Sequence, residues 1–524
     1  MNQAAADVWS ALRSLPRPTL PELFSAQHED SEPSGKDRVA LLSGRIELAG
    51  AAAGDLMAPG GILFDWSKTH LDTRVLAQFY ALAEAMNFVD TREKLFAGDV
   101  INPTEGRAAD HATLRGVGDP AKVEEAAALI DRMGMLVDAI HQGMLGEINH
   151  LIHIGIGGSA LGPALGVDAL AREDAQCDVH VVSNIDGLAL QEAFASCDPA
   201  TTLIAVASKT FTTIETMTNA HSALAWLRDN GVSDPSGRVV ALTANPQAAV
   251  DWGVDETRIL PFQESVGGRY SVWSSIGFPI AMAAGMAEFR EILAGAAEVD
   301  KHFRDSGIAD NLVLRAAFAD LYYTQVRGCQ TRAVFAYDER LRLFPDYLQQ
   351  LEMESNGKRV TADMRPVDGP TAPITWGGVG TDAQHAVFQL LHQGTHIVPV
   401  DFIASASPGD ELDAAHHRIL LMNCFAQGAA LMAGKVGSDP ARNYPGDRPS
   451  ATILCDDLDA ATLGALIAFH EHRTFANAVL LGINPFDQFG VELGKQMARA
   501  IEDGDDTFDA STRALIEASG FSVA

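Results

Sequence analysis

Between residues 208 and 216 the chain reads SKTFTTIET, directly after the apolar run TLIAVA. Ser208, Thr210, Thr212 and Thr213 offer hydroxyls, and the following IETMTNAHSALAWL has helical spacing, so its first amides point the same way. Neutral donors gathered at a helix start suit a phosphate, whose terminal oxygens all need partners. A second candidate anion dock is GIGGSALG, residues 155–162, where glycines let backbone amides approach a ligand closely. Gly155, Gly157 and Ala160 also fit the dinucleotide form G-x-G-x-x-A, although the required acid, Asp186, comes late. A nicotinamide dehydrogenase is therefore a competing reading. No G-x-x-x-x-G-K-[ST] is present, so a nucleoside triphosphate is not indicated.

Three further stretches carry groups for proton transfer and charge stabilisation. In VGGRYSVWSSIG, Gly267 and Gly268 precede Arg269, a permanent cation able to face an oxyanion. YLQQLEMESNGK holds Glu352 and Glu354, with Gln350 upstream; residues at i and i+2 do not share a helix face, so only one glutamate can serve a given site as base. In GTDAQHAVFQLLHQGTHIVPVDF, His385 and His392 lie seven apart on one helical face. FDQFGVELGKQMA places Lys495 after a glycine at a helix start. Metal chemistry is not expected: His416-His417 and His470-Glu471-His472 lack i, i+4 pairing, and no two of the five cysteines have ligand spacing.

The elements that must position these groups show in the texture of the chain. LIHIGI, VHVVSNI, TLIAVAS, RVVALTA and RILPF are short β-branched runs separated by helical stretches. TRAVFAYD, HIVPVDFI, ATILCDDL and NAVLLGI form a second such series. The alternation predicts an α/β fold with two parallel-rich sheets covered on both faces. Residues 1–115 read as helices and loops that pack with the larger domain, with EDSEPSGKD and AGAAAGDLMAPGG as loop or hairpin. The expected domains are 116–288 and 289–524. Ligands of such sheets bind at the carboxyl ends of strands, where both candidate docks fall.

Composition narrows the partners. The 524 residues carry Asp+Glu 69 against Lys+Arg 38, a net charge of −31, and no basic cluster, which argues against nucleic acid. An anionic substrate must be held by local donors against that field. No apolar run approaches a membrane span and the first thirty residues lack a signal-peptide core, so a cytoplasmic placement is expected.

GIGGSALGP, SKTFTTIET, VGGRYSVWSSIG, LQQLEMESNGK, GTDAQHAVFQLLHQGT and FDQFGVELGKQMA resemble, in order, the motifs of the glucose-6-phosphate isomerase (phosphoglucose isomerase) family. WSKTHLD and LFAGDVINPTEGRAADHATLR resemble its N-terminal region. The resemblance implies two three-layer sandwiches of the sugar-isomerase (SIS) type, and aldose–ketose isomerisation through a cis-enediol with no cofactor and no metal. It puts the phosphate on Ser159 and on Ser208 through Thr213, lined by Gly158 and Lys209. Glu354 becomes the base with Gln350 beside the substrate, Arg269 faces the enediolate, and His385 and Lys495 assist ring opening. A homodimer in which the histidine crosses the interface is also implied. Ala160, Ile214 and Asp382-Ala383 depart from the family pattern without removing a group the chemistry needs. A non-catalytic sugar-phosphate sensor of this fold should have lost Glu354, His385 or Lys495, and all three are present.

Overall fold

The five apolar runs of the first series become one sheet. In the computed structural model, which describes residues 2–25, 33–48, 60–504 and 508–520, strands β3 (His150–Gly155), β4 (Asp178–Val182), β5 (Thr202–Ala207), β6 (Val239–Thr243) and β7 (Ile259–Pro261) lie in the order β4-β3-β5-β6-β7. All pairs are parallel. β5 is buried along its whole length, as a strand covered by helices on both faces must be. The register sets Gly155 of β3 beside Ala207 of β5, so the two candidate docks leave neighbouring strands at the same end.

A second sheet has the order β1-β2-β11-β10-β8-β9. Its parallel part is β8 (Thr331–Tyr337), β9 (Ile374–Val379), β10 (Val400–Ser405) and β11 (Ser450–Cys455). The antiparallel pair β1 (Ser43–Glu47) and β2 (Gly61–Asp65) joins it through β11. The region read as helices and loops therefore also contributes two strands. The loop reading of AGAAAGDLMAPGG falls mostly on residues 49–59, outside the described residues, as do residues 29–32 of EDSEPSGKD.

One apolar run is not the strand it was read as. NAVLLGI forms the end of the helix Ala460–Leu481, closed by Gly482 in the left-handed conformation. This helix is buried on every side from Thr462 onward, so it shows no polar stripe and its apolar run cannot be told from a buried strand by periodicity. Helix Met286–Asp305 packs on it closely. A Cβ on Gly295 would strike the Ala461 carbonyl, and one on Gly464 that of Ile292.

The chain up to Pro485 is one compact unit, and Phe486–Ala524 is another. The described residues of the second include the α-helices Glu492–Glu502 and Ala510–Ser519. No described helix is long and apolar enough to cross a membrane.

Candidate active site

The helix Phe344–Asn356 carries both glutamates, and a turn of 100° per residue sends them apart by about 200°. Glu352 faces inward. Its carboxylate accepts from Arg332, from Arg473 Nη2 at 2.7 Å and from Thr375 Oγ1 at 2.6 Å. Burial alone would push its pKa up, but the two arginines and the hydroxyl hold it down to about 2. All three partners belong to this buried network, so the carboxylate is committed to holding the structure.

Glu354 faces the other way and is half-buried, 19% exposed at its side chain, with Oε1 3.1 Å from Arg269 Nη1. Arg269 itself is buried and held on three sides. Its Nε donates to Ser355 Oγ at 2.6 Å, Nη1 to Glu354, and Nη2 to the Pro485 carbonyl at 2.5 Å. Tyr270 Oη shares Ser355 Oγ at 2.9 Å, and Tyr347 Oη donates to the Arg269 carbonyl at 3.4 Å. The guanidinium is thus aimed before any substrate arrives, which is what makes a fixed cation effective against developing charge.

Backbone contact joins this cluster to the first glycine loop. A Cβ on Gly158 would collide with the backbone of Gly268 and Arg269, and one on Gly157 (φ +58°) would come 3.0 Å from Gln350 Nε2. Gly158, Gln350, Arg269 and Glu354 therefore line one locale. The turn Gly157–Ser159 is fixed from beneath by buried His153, whose Nε2 lies 2.7 Å from the Ser159 carbonyl.

The hydroxyl loop sits one strand over. Ser208 pairs with Thr213 at 3.0 Å and Thr210 with Thr212 at 2.7 Å. Phe211 holds the bend: it is buried with φ +58°, a conformation a bulky side chain takes only when packing demands it, and its ring meets Trp252 edge-on. Lys209 Nζ donates to the carbonyls of Glu264 (2.6 Å) and Val266 (3.1 Å). It thereby ties the hydroxyl loop to the segment that leads into Gly267-Gly268-Arg269. Burial lowers the pKa of this ammonium.

Residues 65–516 match the family described as phosphoglucose isomerase. The chain belongs to the glucose-6-phosphate isomerase family. A glucose-6-phosphate isomerase of Erythrobacter litoralis is 70% identical over 99% of this chain and 100% of its own length. The one of Zymomonas mobilis is 56% identical over 99% of each chain. A crystal structure of a glucose-6-phosphate isomerase from Chlamydia trachomatis matches with a TM-score of 0.85 at 27% identity, covering 99% of this chain and 98% of the other.

Within this member of the glucose-6-phosphate isomerase family, two motif residues have no contact with the cluster among those described above. His385 lies exposed on the helix Gly380–Gln393 and has no hydrogen-bond or ion-pair partner among the described residues. Lys495 belongs to the C-terminal unit, exposed on Glu492–Glu502 with Nζ 3.5 Å from Glu492. The departures are mild. Ala160 is buried and leaves the helix Leu161–Leu170 without a side-chain cap, and Ile214 is 54% exposed. Asp382 adds an acid to the first turn of its helix, where the dipole favours it. Sequence reasoning did not single out Ser355, Tyr270 or His153. Ser355 and Tyr270 sit inside quoted motifs, yet spacing alone carries no sign that their hydroxyls meet.

Proposed function

We propose that the chain interconverts glucose 6-phosphate and fructose 6-phosphate, with its chemistry divided among the residues above. The phosphate is held by Ser159 and by the hydroxyls of Ser208, Thr210, Thr212 and Thr213, with Gly158 and Lys209 lining the dock. The hydroxyls and backbone amides are neutral donors and Lys209 adds an ammonium, a set whose contacts to a phosphate are alike in ground and transition states. Once the ring is open, the Glu354 carboxylate takes the C2 proton of glucose 6-phosphate. Electron density moves into the carbonyl at C1, and Arg269 faces the resulting enediolate. Glu354 then returns its proton to C1, and the O2 hydroxyl proton is redistributed to O1, giving the ketose. Gln350 lies beside the substrate. His385 and Lys495 move the protons that open the ring; Lys495 is assigned from its motif alone.

The observation that carries this reading is the Arg269–Glu354 contact at 3.1 Å, beside the Gly158 turn. It joins a base, a fixed cation and an anion dock, which is what a proton transfer beside a carbonyl requires. A dehydrogenase would have used Asp186 for a ribose. Here that carboxylate caps its own helix, accepting from the Leu188 amide at 3.1 Å.

Further parts belong to the same proposal. His385 is supplied to the site of a second copy, supported by its exposed, unpartnered position, so the active form is a homodimer. Residues 116–288 and 289–524 form the two domains, with 1–115 joining the larger, supported by the reach of the two sheets and by the pairing of β2 with β11. A cytoplasmic location is supported by five buried, unbridged cysteines. Neither nucleic acid nor membrane is a partner in this reading, and no cofactor is called for. The deciding experiment is a coupled assay with fructose 6-phosphate and no added nucleotide or metal: glucose 6-phosphate should form. Tight NAD binding with no isomerisation would overturn the reading.

A further inference from the structure

The five-stranded sheet has a second group of chemically capable side chains at the end away from the substrate loops. His150 opens β3, His180 stands in β4, and Cys197 ends the helix Gly187–Ser196. β3 and β4 pair with His150 opposite Asp178 and Ile152 opposite His180. With a side-chain period of two, both histidines project from the same face, the one on which Cys197 packs with Ile152 and Ile154. One ligand atom from each of the three lies within 4.8 Å of the others. Nδ1 of His150 is buried without a hydrogen-bond partner, and Asp178 Oδ2 stands 3.8 Å from it. A buried ring nitrogen left unpaired is costly, and here it points among atoms that share its taste for a metal.

We infer that His150, His180 and Cys197 bind a divalent transition-metal ion of the zinc class, with Asp178 or water as the fourth ligand. Two imidazoles and a thiolate select such an ion over magnesium or calcium, which prefer oxygen. Bonds of about 2.0–2.3 Å require ligand atoms roughly 3.5 Å apart, within reach of small χ rotations from the present spacing. Burial pushes the Cys197 thiol up to about 11, so the ion must form the metal–sulfur bond as the thiol proton leaves to solvent. β3 spans six residues, so the site lies about 17 Å from the catalytic turn. Its work is to pin edge strand β4 to β3 and to the helix after it. No linear spacing announces this set, because its members come from two strands and a helix end.

The test uses the full chain, stripped with chelator, and Co²⁺ as a spectroscopic probe. The wild type should take up one equivalent with a thiolate-to-cobalt charge-transfer band and tetrahedral d–d bands. Cys197→Ser should lose the charge-transfer band, while Cys424→Ser, altering a buried cysteine of the helix Ala414–Ala433 on the other sheet, should keep it. Because Cys197 is buried, the partly exposed His150→Ala serves as the second variant. Excess Zn²⁺ should raise the wild-type Tm by a few degrees and leave that of His150→Ala unmoved. A charge-transfer band that survives in Cys197→Ser, its absence from the wild type, or equal Tm shifts in wild type and His150→Ala each overturn the inference.

Discussion

Nη1 of Arg269 reaches Oε1 of Glu354 at 3.1 Å, while Nε of the same guanidinium is held by Ser355, the next residue along the helix. One turn thus presents the base and anchors the cation. Glu354→Gln keeps the size of the side chain, and Arg269 retains Ser355 and the Pro485 carbonyl, so the fold should persist. Loss of the general base should lower kcat by about 10²- to 10⁴-fold. Exchange of the C2 proton of glucose 6-phosphate with deuterated water, followed by NMR, should nearly stop while ring opening continues. Exchange at the wild-type rate would remove Glu354 from its role.

Ser355 is buried and bonded to Arg269 and Tyr270, so its role is to position Arg269. Ser355→Ala removes the acceptor for Nε and the partner of Tyr270 Oη together. A cation free to drift stabilises the enediolate less, while phosphate contacts are untouched. The expected result is a fall in kcat of roughly 10-fold or more with KM nearly unchanged, in line with a lost preorganised interaction. A purely structural serine would instead lower Tm and leave kcat alone.

Glu352 should behave in the opposite way. It bonds Arg332, Arg473 and Thr375, and those arginines also meet Asp320 and Asp401. Glu352→Gln should cost about 3–5 kcal/mol, as breaking a buried pair does, and change kcat only a few-fold. The folded pKa lies at about 2, below the ordinary 4.5. Its stabilisation is therefore complete above pH 4.5 and is lost as pH falls toward 2. Denaturant unfolding across that interval should show a wild-type slope that the variant lacks.

Much of this was legible in the chain because apolar runs and turn residues agree with the fold. TLIAVA followed by SKTFTT marks both a covered strand and its carboxyl end, and the structure places β5 and its hydroxyl loop there. The opposite outlooks of Glu352 and Glu354 followed from helical geometry before any contact was known. Other parts lay beyond linear reading. β9, ITWGGV, is an edge strand whose two glycines carry no β signal; a Cβ on Gly377 would strike the Val334 carbonyl, so glycine is needed for the strands to approach. NAVLLGI misleads for the reason that its helix is buried all round. The Tyr270–Ser355–Arg269 chain joins residues 85 or more apart in sequence, and only the folded backbone brings them together.

His153 gives a stability prediction in acid. It is fully buried beneath the Gly157–Ser159 turn, Nε2 against the Ser159 carbonyl, while Nδ1 has no partner. Burial lowers its pKa from 6.5 to about 4, only partly offset by that carbonyl. The fold holds the neutral ring, so its contribution is complete above pH 6.5 and is lost as pH falls toward 4. The loss amounts to ~3 kcal/mol at 1.36 kcal/mol per pKa unit. His153→Gln, whose amide can donate to the same carbonyl, should show a smaller drop in unfolding free energy between pH 7 and 4.5 than the wild type. Equal drops would mean that other buried histidines carry the acid sensitivity.

Where His385 acts can be decided by mixing inactive chains. It is exposed, and neither Glu354 nor Arg269 is bonded to it within one chain. Suppose each site draws Glu354 from one copy and His385 from the other. In a heterodimer of Glu354→Gln with His385→Ala, one site then holds both lesions and the other holds neither. Co-refolded chains, separated by two different affinity tags, should regain activity approaching half that of the wild-type dimer. If both residues served the site of their own chain, every site would carry one lesion and no activity would return. The same preparation reports the oligomeric state by light scattering, so a monomer would be recognised directly. Recovery of activity in the doubly tagged species alone, absent from either parent, is the outcome expected of a histidine donated across the interface.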